Sequence, residues 1–188
     1  MMRIVGIDYS LNSPAVCITQ ANEVDTHIKD CEFHYLTSVK KYQGKVAKKV
    51  YGYEYPKYYS DNIQRFNLIA DWVLSLIKVK HTRVFIEGYS YGSRGQGLFQ
   101  IAENCGILKY KFMLEKHINY STIVPSVVKK RATGKGNASK EQMYEQFMKD
   151  GGQDLVSELG MNRLTNPVTD IVDSYYIMRT GNENCYCN

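Results

Sequence analysis

Four carboxylates in this sequence stand where a carboxylate is costly. Asp8 lies between Ile7 and Tyr9 in the apolar run that begins at Arg3, and a period of two puts it on the face of Gly6 and Ile4. Glu87 closes a second apolar run, Val84-Phe85-Ile86. Asp170 and Asp173 are spaced i and i+3 beside Ile171 and Val172, so on a helix both project from one face. A single such acid more often caps a backbone or pairs with an arginine. Four that can converge repel and raise one another's proton affinity unless a cation holds them. Hard divalent ions do so, and Mg²⁺ in particular takes a few carboxylates together with waters and substrate phosphates. The chemistry to expect is metal-assisted cleavage of a phosphodiester, one ion activating the attacking water and a second stabilising the leaving oxygen.

The basic residues fit a polyanionic substrate. Residues 40–59 hold six lysines, six tyrosines and one acid, Glu54, a local charge of +5. Residues 125–140 hold Lys129, Lys130, Arg131, Lys135 and Lys140 with no acid, again +5, so the rest of a chain whose net charge is +5 carries −5. Concentration in two patches is what a phosphate-tracking surface requires, the alternative being two solvated loops. The tyrosines of 42–59 could stack on unpaired bases. Equally, Tyr51, Tyr53 and Tyr55 could line one face of a β-ribbon packed on the body or on a second copy. Gly92 to Gly97 lacks the Lys-Ser/Thr of a P-loop and reads as a loop beside Glu87, with Arg94 available to a DNA backbone. The four histidines show no ligand spacing, and Cys185-x-Cys187 without a second pair is weak as a metal motif.

The elements that must position these groups follow from periodicity. Strands are predicted at residues 3–8, 15–19 and 31–36, joined by short connections as an antiparallel meander, and further strands at 83–87 and 121–124, the last stopped by Pro125. Helices are predicted from Ser60 or Asp61 to about Ile77, over about 98–112, from Asn137 or Ser139 to about Lys149, and from an Asn166 cap with Pro167 at the first turn to about Arg179. The apolar face of the first would be Ile63, Phe66, Ala70, Val73, Leu74 and Ile77; that of the second Leu98, Ile101, Ala102, Cys105, Leu108 and Phe112. The fold class is α/β, a mixed sheet of about five strands, three antiparallel and then parallel, covered by helices. At 188 residues the chain is expected to be one domain, interrupted at 40–59 and ending in a short tail, 180–188. No apolar run approaches the roughly 20 residues of a membrane span, and five irregularly spaced cysteines read as reduced thiols, so a cytoplasmic location is expected.

The ordered set Gly6-Ile7-Asp8, Ile86-Glu87 and Asn166-Pro-Val-Thr-Asp170-Ile-Val-Asp173 resembles RuvC, the Holliday junction resolvase family of the ribonuclease H-like superfamily. Val128-Lys129 and Gly134 to Lys140 resemble that family's basic DNA-contacting stretch, and the likeness runs from residue 3 to about 178. It implies a ribonuclease H-like fold and a homodimer that nicks a four-way junction symmetrically. It implies two Mg²⁺ (or Mn²⁺) ions per site, bridged by Asp8, with Glu87 on one side and Asp170 and Asp173 on the other. Lys129 and Lys140 match phosphate-gripping lysines, and Tyr89 or Tyr91 stands nearest the family's junction-wedging aromatic. Ala15-Val16-Cys17 lacks the glycine-rich stretch of bacterial members, and the Lys/Tyr segment has no counterpart. These departures look like a bacteriophage or viral branch, active in a host cytoplasm, whose members also cut flaps and forks. GIDYS also resembles the first phosphate loop of sugar kinases and actin-like proteins, but those need two domains and a second such loop, so no nucleotide cofactor is expected. A terminase-type packaging nuclease and a non-catalytic junction adaptor are the remaining alternatives; clustered acids do nothing for the latter, since they repel DNA.

Overall fold

The computed structural model describes residues 2–21, 26–77, 81–89 and 96–185. Asp8 ends β1, an interior strand of a mixed sheet of seven strands in the order β4-β5-β3-β2-β1-β6-β7. These are β1 (Met2–Asp8), β2 (Ala15–Ala21), β3 (Glu32–Thr37), β4 (Gly44–Ala47), β5 (Val50–Glu54), β6 (Thr82–Glu87) and β7 (Tyr120–Ile123). The first three strands form the antiparallel meander expected, and β6 and β7 add parallel to β1. β1 reads as a nearly continuous apolar run because both its faces are covered.

The helices are α1 (Asn62–Leu76), α2 (Gln96–Tyr110), α3 (Pro125–Thr133), α4 (Lys140–Lys149), α5 (Leu155–Glu158) and α6 (Val168–Asn184). The alternation along each strand sorts the core into two layers. Ile4, Cys17, Phe33, Tyr35 and Phe85 pack against Ile171, Tyr175 and Met178 of α6. Val5, Ile7, Val16, Leu36 and Ile86 pack against Ile69 and Val73 of α1, Cys105 and Leu108 of α2, and Phe112 in the turn of helix that follows α2. The Asp61 carboxylate caps α1 by accepting from the Gln64 amide. Ser139 and Gln142 form a reciprocal capping box on α4.

Several expectations require correction. The sheet has seven strands rather than five, because residues 40–59 do not interrupt the sheet but extend it. β5 pairs parallel with β3 and β4 returns antiparallel to β5. Gly52 permits this, since a side chain there would strike the Tyr42 carbonyl and the Tyr35 ring. Pro125 stops β7 and also opens α3, a helix the sequence reading left out, because proline suits a first helical turn. α6 begins at Val168, one residue later than a proline-N1 start, and runs through residues 180–184, which belong to the helix rather than to a tail. Ile63 and Ala102 are exposed, whereas Asn104 is buried on α2.

Candidate active site

The period-two argument places the acids. Asp8 lies two residues beyond Gly6, and Glu87 two beyond Phe85, and both Gly6 and Phe85 face α6. A Cβ on Gly6 would collide with the Ser174 carbonyl and Met178, so α6 crosses directly on the backbone of β1. Gly181 makes a similar approach to the Phe85 ring. With the helix seated this closely, its first turns carry Asp170 and Asp173 over the carboxyl ends of β1 and β6. Asp8 and Asp170 are 8% and 4% exposed, and Glu87 and Asp173 are half-buried.

The electrostatics are those of crowded like charges. Burial, then the neighbouring Asp170, Asp173 and Glu87, hold the Asp8 carboxyl well above the usual carboxylate range. Burial raises Glu87 to about 7, with Asp173 adding to it and Lys129 opposing. Burial also raises Asp170 and Asp173 to about 6 each, the Asp170 charge adding to the latter. Among the described residues, Lys140 and Lys129 are the cations that offset the negative charge: Lys140 acts on all four acids, Lys129 on Glu87 and Asp173.

A polar relay orients Asp170. The Ser13 hydroxyl donates to its carboxylate, and the Asn166 amide donates to Ser13 Oγ at 2.7 Å. Thr169 Oγ1 donates to Asn166 Oδ1 at 2.5 Å and accepts from Lys140 Nζ at 3.2 Å. Ser13, Asn166 and Thr169 were absent from the sequence-derived site. Asn12-Ser13-Pro14 reads as a turn and Asn166 as a helix cap, and no local signal tells of a bond spanning 157 residues.

The other expected residues divide. Lys140 and Lys129 lie close enough to the acids to act on them electrostatically, Lys140 through its seat on Thr169. Lys130 and Lys135 are exposed on α3 and the turn after it. Arg131 pairs with Glu183 near the far end of α6, turned away from the carboxylates. Tyr89 is 41% exposed, with Lys109 Nζ 4.8 Å from its ring centroid. Tyr91, Arg94 and Cys187 lie outside the described residues. A cavity of about 270 Å³ opens against the acids, lined by Asp8, Tyr9, Leu11, Glu87, Tyr89 and Ile101 among others. A larger hollow of about 450 Å³ lies further along α6, between His27, Asp150, Arg179 and Glu183.

No family model matches the chain, and no curated protein does. Solved structures do. RuvC of Thermus thermophilus superposes with a TM-score of 0.61 at 14% identity, covering 99% of this chain and 96% of that one. The chain has the RuvC fold. The same bacterium's RuvC in complex with a Holliday junction substrate gives 0.61 at 12% identity, covering 100% of this chain and 97% of that one. The yeast mitochondrial Holliday junction resolvase Ydc2 gives 0.54 at 14% identity, covering 98% and 81%. The resemblance read from three short motifs is thus borne out as a fold along the whole chain.

On that fold, four carboxylates are an all-oxygen donor set with more negative charge than two lysines offset, which suits a hard divalent cation. Among the described residues, no three His, Cys, Asp or Glu side chains stand grouped closely enough to form a ready-made ion shell.

Proposed function

We propose that the chain is a divalent-metal-dependent endonuclease selective for branched DNA, resolving four-way junctions as a homodimer by paired nicks. The observation that carries this is the convergence of Asp8, Glu87, Asp170 and Asp173 at one end of a RuvC fold, with Lys129 and Lys140 turned toward them. The likeness to a RuvC structure that holds a Holliday junction supports the substrate class.

Asp8, Glu87, Asp170 and Asp173 would hold Mg²⁺ or Mn²⁺, two ions per site. Bound there, the metal supplies an activated water and charge stabilisation on the leaving oxygen. The protein supplies the rest. Ser13 holds one carboxylate oxygen of Asp170, and Thr169 Oγ1 approaches the other at 3.5 Å, which restrains its rotamer. Lys140, held on Thr169, and Lys129 compensate the phosphate charge that the acids would otherwise repel. The raised proton affinities mean that the acids ionise fully only above neutral pH or when a cation enters.

The test is cleavage in Mg²⁺ of a synthetic four-way junction beside a matched duplex and a flap, with Asp8→Asn as control. Paired symmetric nicks in the junction alone, lost in Asp8→Asn, are expected. Equal cutting of flap and junction would make it a general debranching nuclease. Wild-type rates in Asp8→Asn would remove the metal-centre assignment, and no cutting of any substrate would leave a binding protein.

A further inference from the structure

The tyrosines of residues 42–59 divide by what holds them. Tyr42 is buried, its carbonyl accepting from Tyr35 Oη at 2.6 Å. Tyr51 stacks on His34 with centroids 5.3 Å apart, and Tyr53 meets the edge of Trp72 at 6.0 Å. Tyr55 Oη donates to the Leu11 carbonyl at 2.5 Å. These four are structural, which is the ribbon-face reading. Tyr53 is still 37% exposed beside Trp72, and two more lie on the surface: Tyr59, 40% exposed with the Arg65 guanidinium 5.7 Å from its ring centroid, and Tyr58, 90% exposed.

Topology fixes where Tyr58 lies. β5 runs parallel to β3 with Thr37 opposite Glu54, and the Tyr55 amide donates to the Thr37 carbonyl at 3.0 Å. β3 ends beside the start of β2, where Ala15 pairs with Asp8. The carboxyl ends of β5, β3, β1 and β6 therefore share one edge, and residues 55–60 emerge on the same edge as Asp8 and Glu87. The Tyr55 bond ties this tip to Leu11, which lines the cavity beside those acids. Lys40 and Lys41, both exposed, occupy the turn that follows β3 on that edge. Lys57 pairs with Glu54 and adds no net charge. β5 is three strands from β1, roughly 14 Å at about 4.8 Å per strand, which is about four nucleotides of a paired arm at the 3.4 Å rise of duplex DNA.

We propose that Tyr58, with Lys40 and Lys41, is a docking site for unpaired nucleotides at the branch point, about four nucleotides from the phosphate held by the acids. An exposed aromatic ring offers a stacking surface only to a base free of its partner. The lysines supply the charge complementarity, and the surface is continuous with the carboxylate site along one sheet edge. α3 and α4 carry basic groups on the β7 side of that edge, so the tip completes a surface flanking the acids on both sides. The inference rests on the proposed nuclease reading and names how that site selects branched over paired DNA.

The test is binding by fluorescence anisotropy to a splayed fork and to a paired duplex of the same sequence. It uses an Asp8→Asn background, in which DNA is held and not cut. Tyr58→Ala should weaken fork binding about five-fold or more, change duplex binding less than two-fold, and be rescued by Tyr58→Trp. Lys40→Ala with Lys41→Ala should lower the slope of log affinity against log salt by about 1.4. An abasic site about four nucleotides from the cut should reproduce the loss in the parent but not in Tyr58→Ala. Unchanged fork affinity in Tyr58→Ala, while the parent still prefers the fork, overturns this inference and leaves the nuclease reading standing. A sedimentation change in Tyr58→Ala also overturns it, by assigning the surface to a second copy. Absence of any fork preference in the Asp8→Asn parent, together with no cutting of any DNA by the wild type, takes down both.

Discussion

Neutralising Glu87 gives a test of the carboxylate cluster that needs no DNA. In the metal-free protein, burial and Asp173 raise this carboxyl from 4.5 to about 7. Between those values the folded state holds a proton that the unfolded state has lost, so stability falls as pH rises through the window. At about 1.4 kcal/mol per pH unit, the distance from 4.5 to about 7 amounts to about 3 kcal/mol. For a chain of this length 1 kcal/mol moves the melting temperature by about 2–4 °C, so the full effect is about 6–12 °C. His34, whose proton affinity is lowered by burial, acts in the opposite sense over the same range. The informative quantity is therefore the difference between the parent and Glu87→Gln, which keeps the shape of the protonated acid. Calorimetry in EDTA should find the two close at pH 4.5 and the variant more stable by that margin at pH 8. Mg²⁺ at pH 8 should raise the parent's melting temperature more than the variant's. A gap that stays constant with pH, or that favours the parent at pH 8, would refute the argument that these acids repel.

Further outcomes follow from other parts of the site. Asp8→Asn should lower junction cleavage by about a thousand-fold or more, as expected for loss of several kcal/mol of metal-borne stabilisation, while binding measured by anisotropy is kept or tightened. Ser13→Ala removes the hydrogen bond that favours the ionised form of Asp170; calorimetric titration should show divalent-ion affinity lowered by about 10–100-fold. Gly6→Ala pushes α6 off β1, so thermal melts should show a loss of at least about 1–3 kcal/mol and cleavage should fall although no acid has changed. Lys129→Ala should weaken DNA binding and reduce its salt slope by about 0.9, whereas Lys130→Ala should do less, since Lys129 alone of the pair acts on the acids.

What could be read from residue types alone was whatever broke a pattern. Asp8 and Glu87 interrupt apolar strands, and Asp170 and Asp173 sit among Ile171 and Val172, so each announces a cost that something must repay. β4 and β5 were not legible. A run rich in lysine and tyrosine looks like surface, and its membership of the sheet depends on Gly52 fitting under Tyr35 and the Tyr42 carbonyl. α3 hid behind Pro125, a residue that ends strands and begins helices with equal ease, and among its residues only Val128 is fully buried. The Ser13–Asp170 contact could not be found at all, because it joins residues 157 apart and has no local periodicity. Local chemistry marks what a site contains, and long-range packing decides what holds it.

The seating of α6 on β1 also imposes an order in time. A ribosome extends a chain at about 5–20 residues per second, and 83 positions separate Glu87 from Asp170. For about 4–17 seconds a growing chain carries the first two acids and lacks the second two. Gly6 waits with its backbone uncovered until the final helix emerges and docks across the length of the molecule. On the proposed function, hydrolytic competence would be withheld from any translation product that lacks α6. On the proposed nuclease reading, a ribosome that stalls before α6 would release a fragment unable to nick DNA.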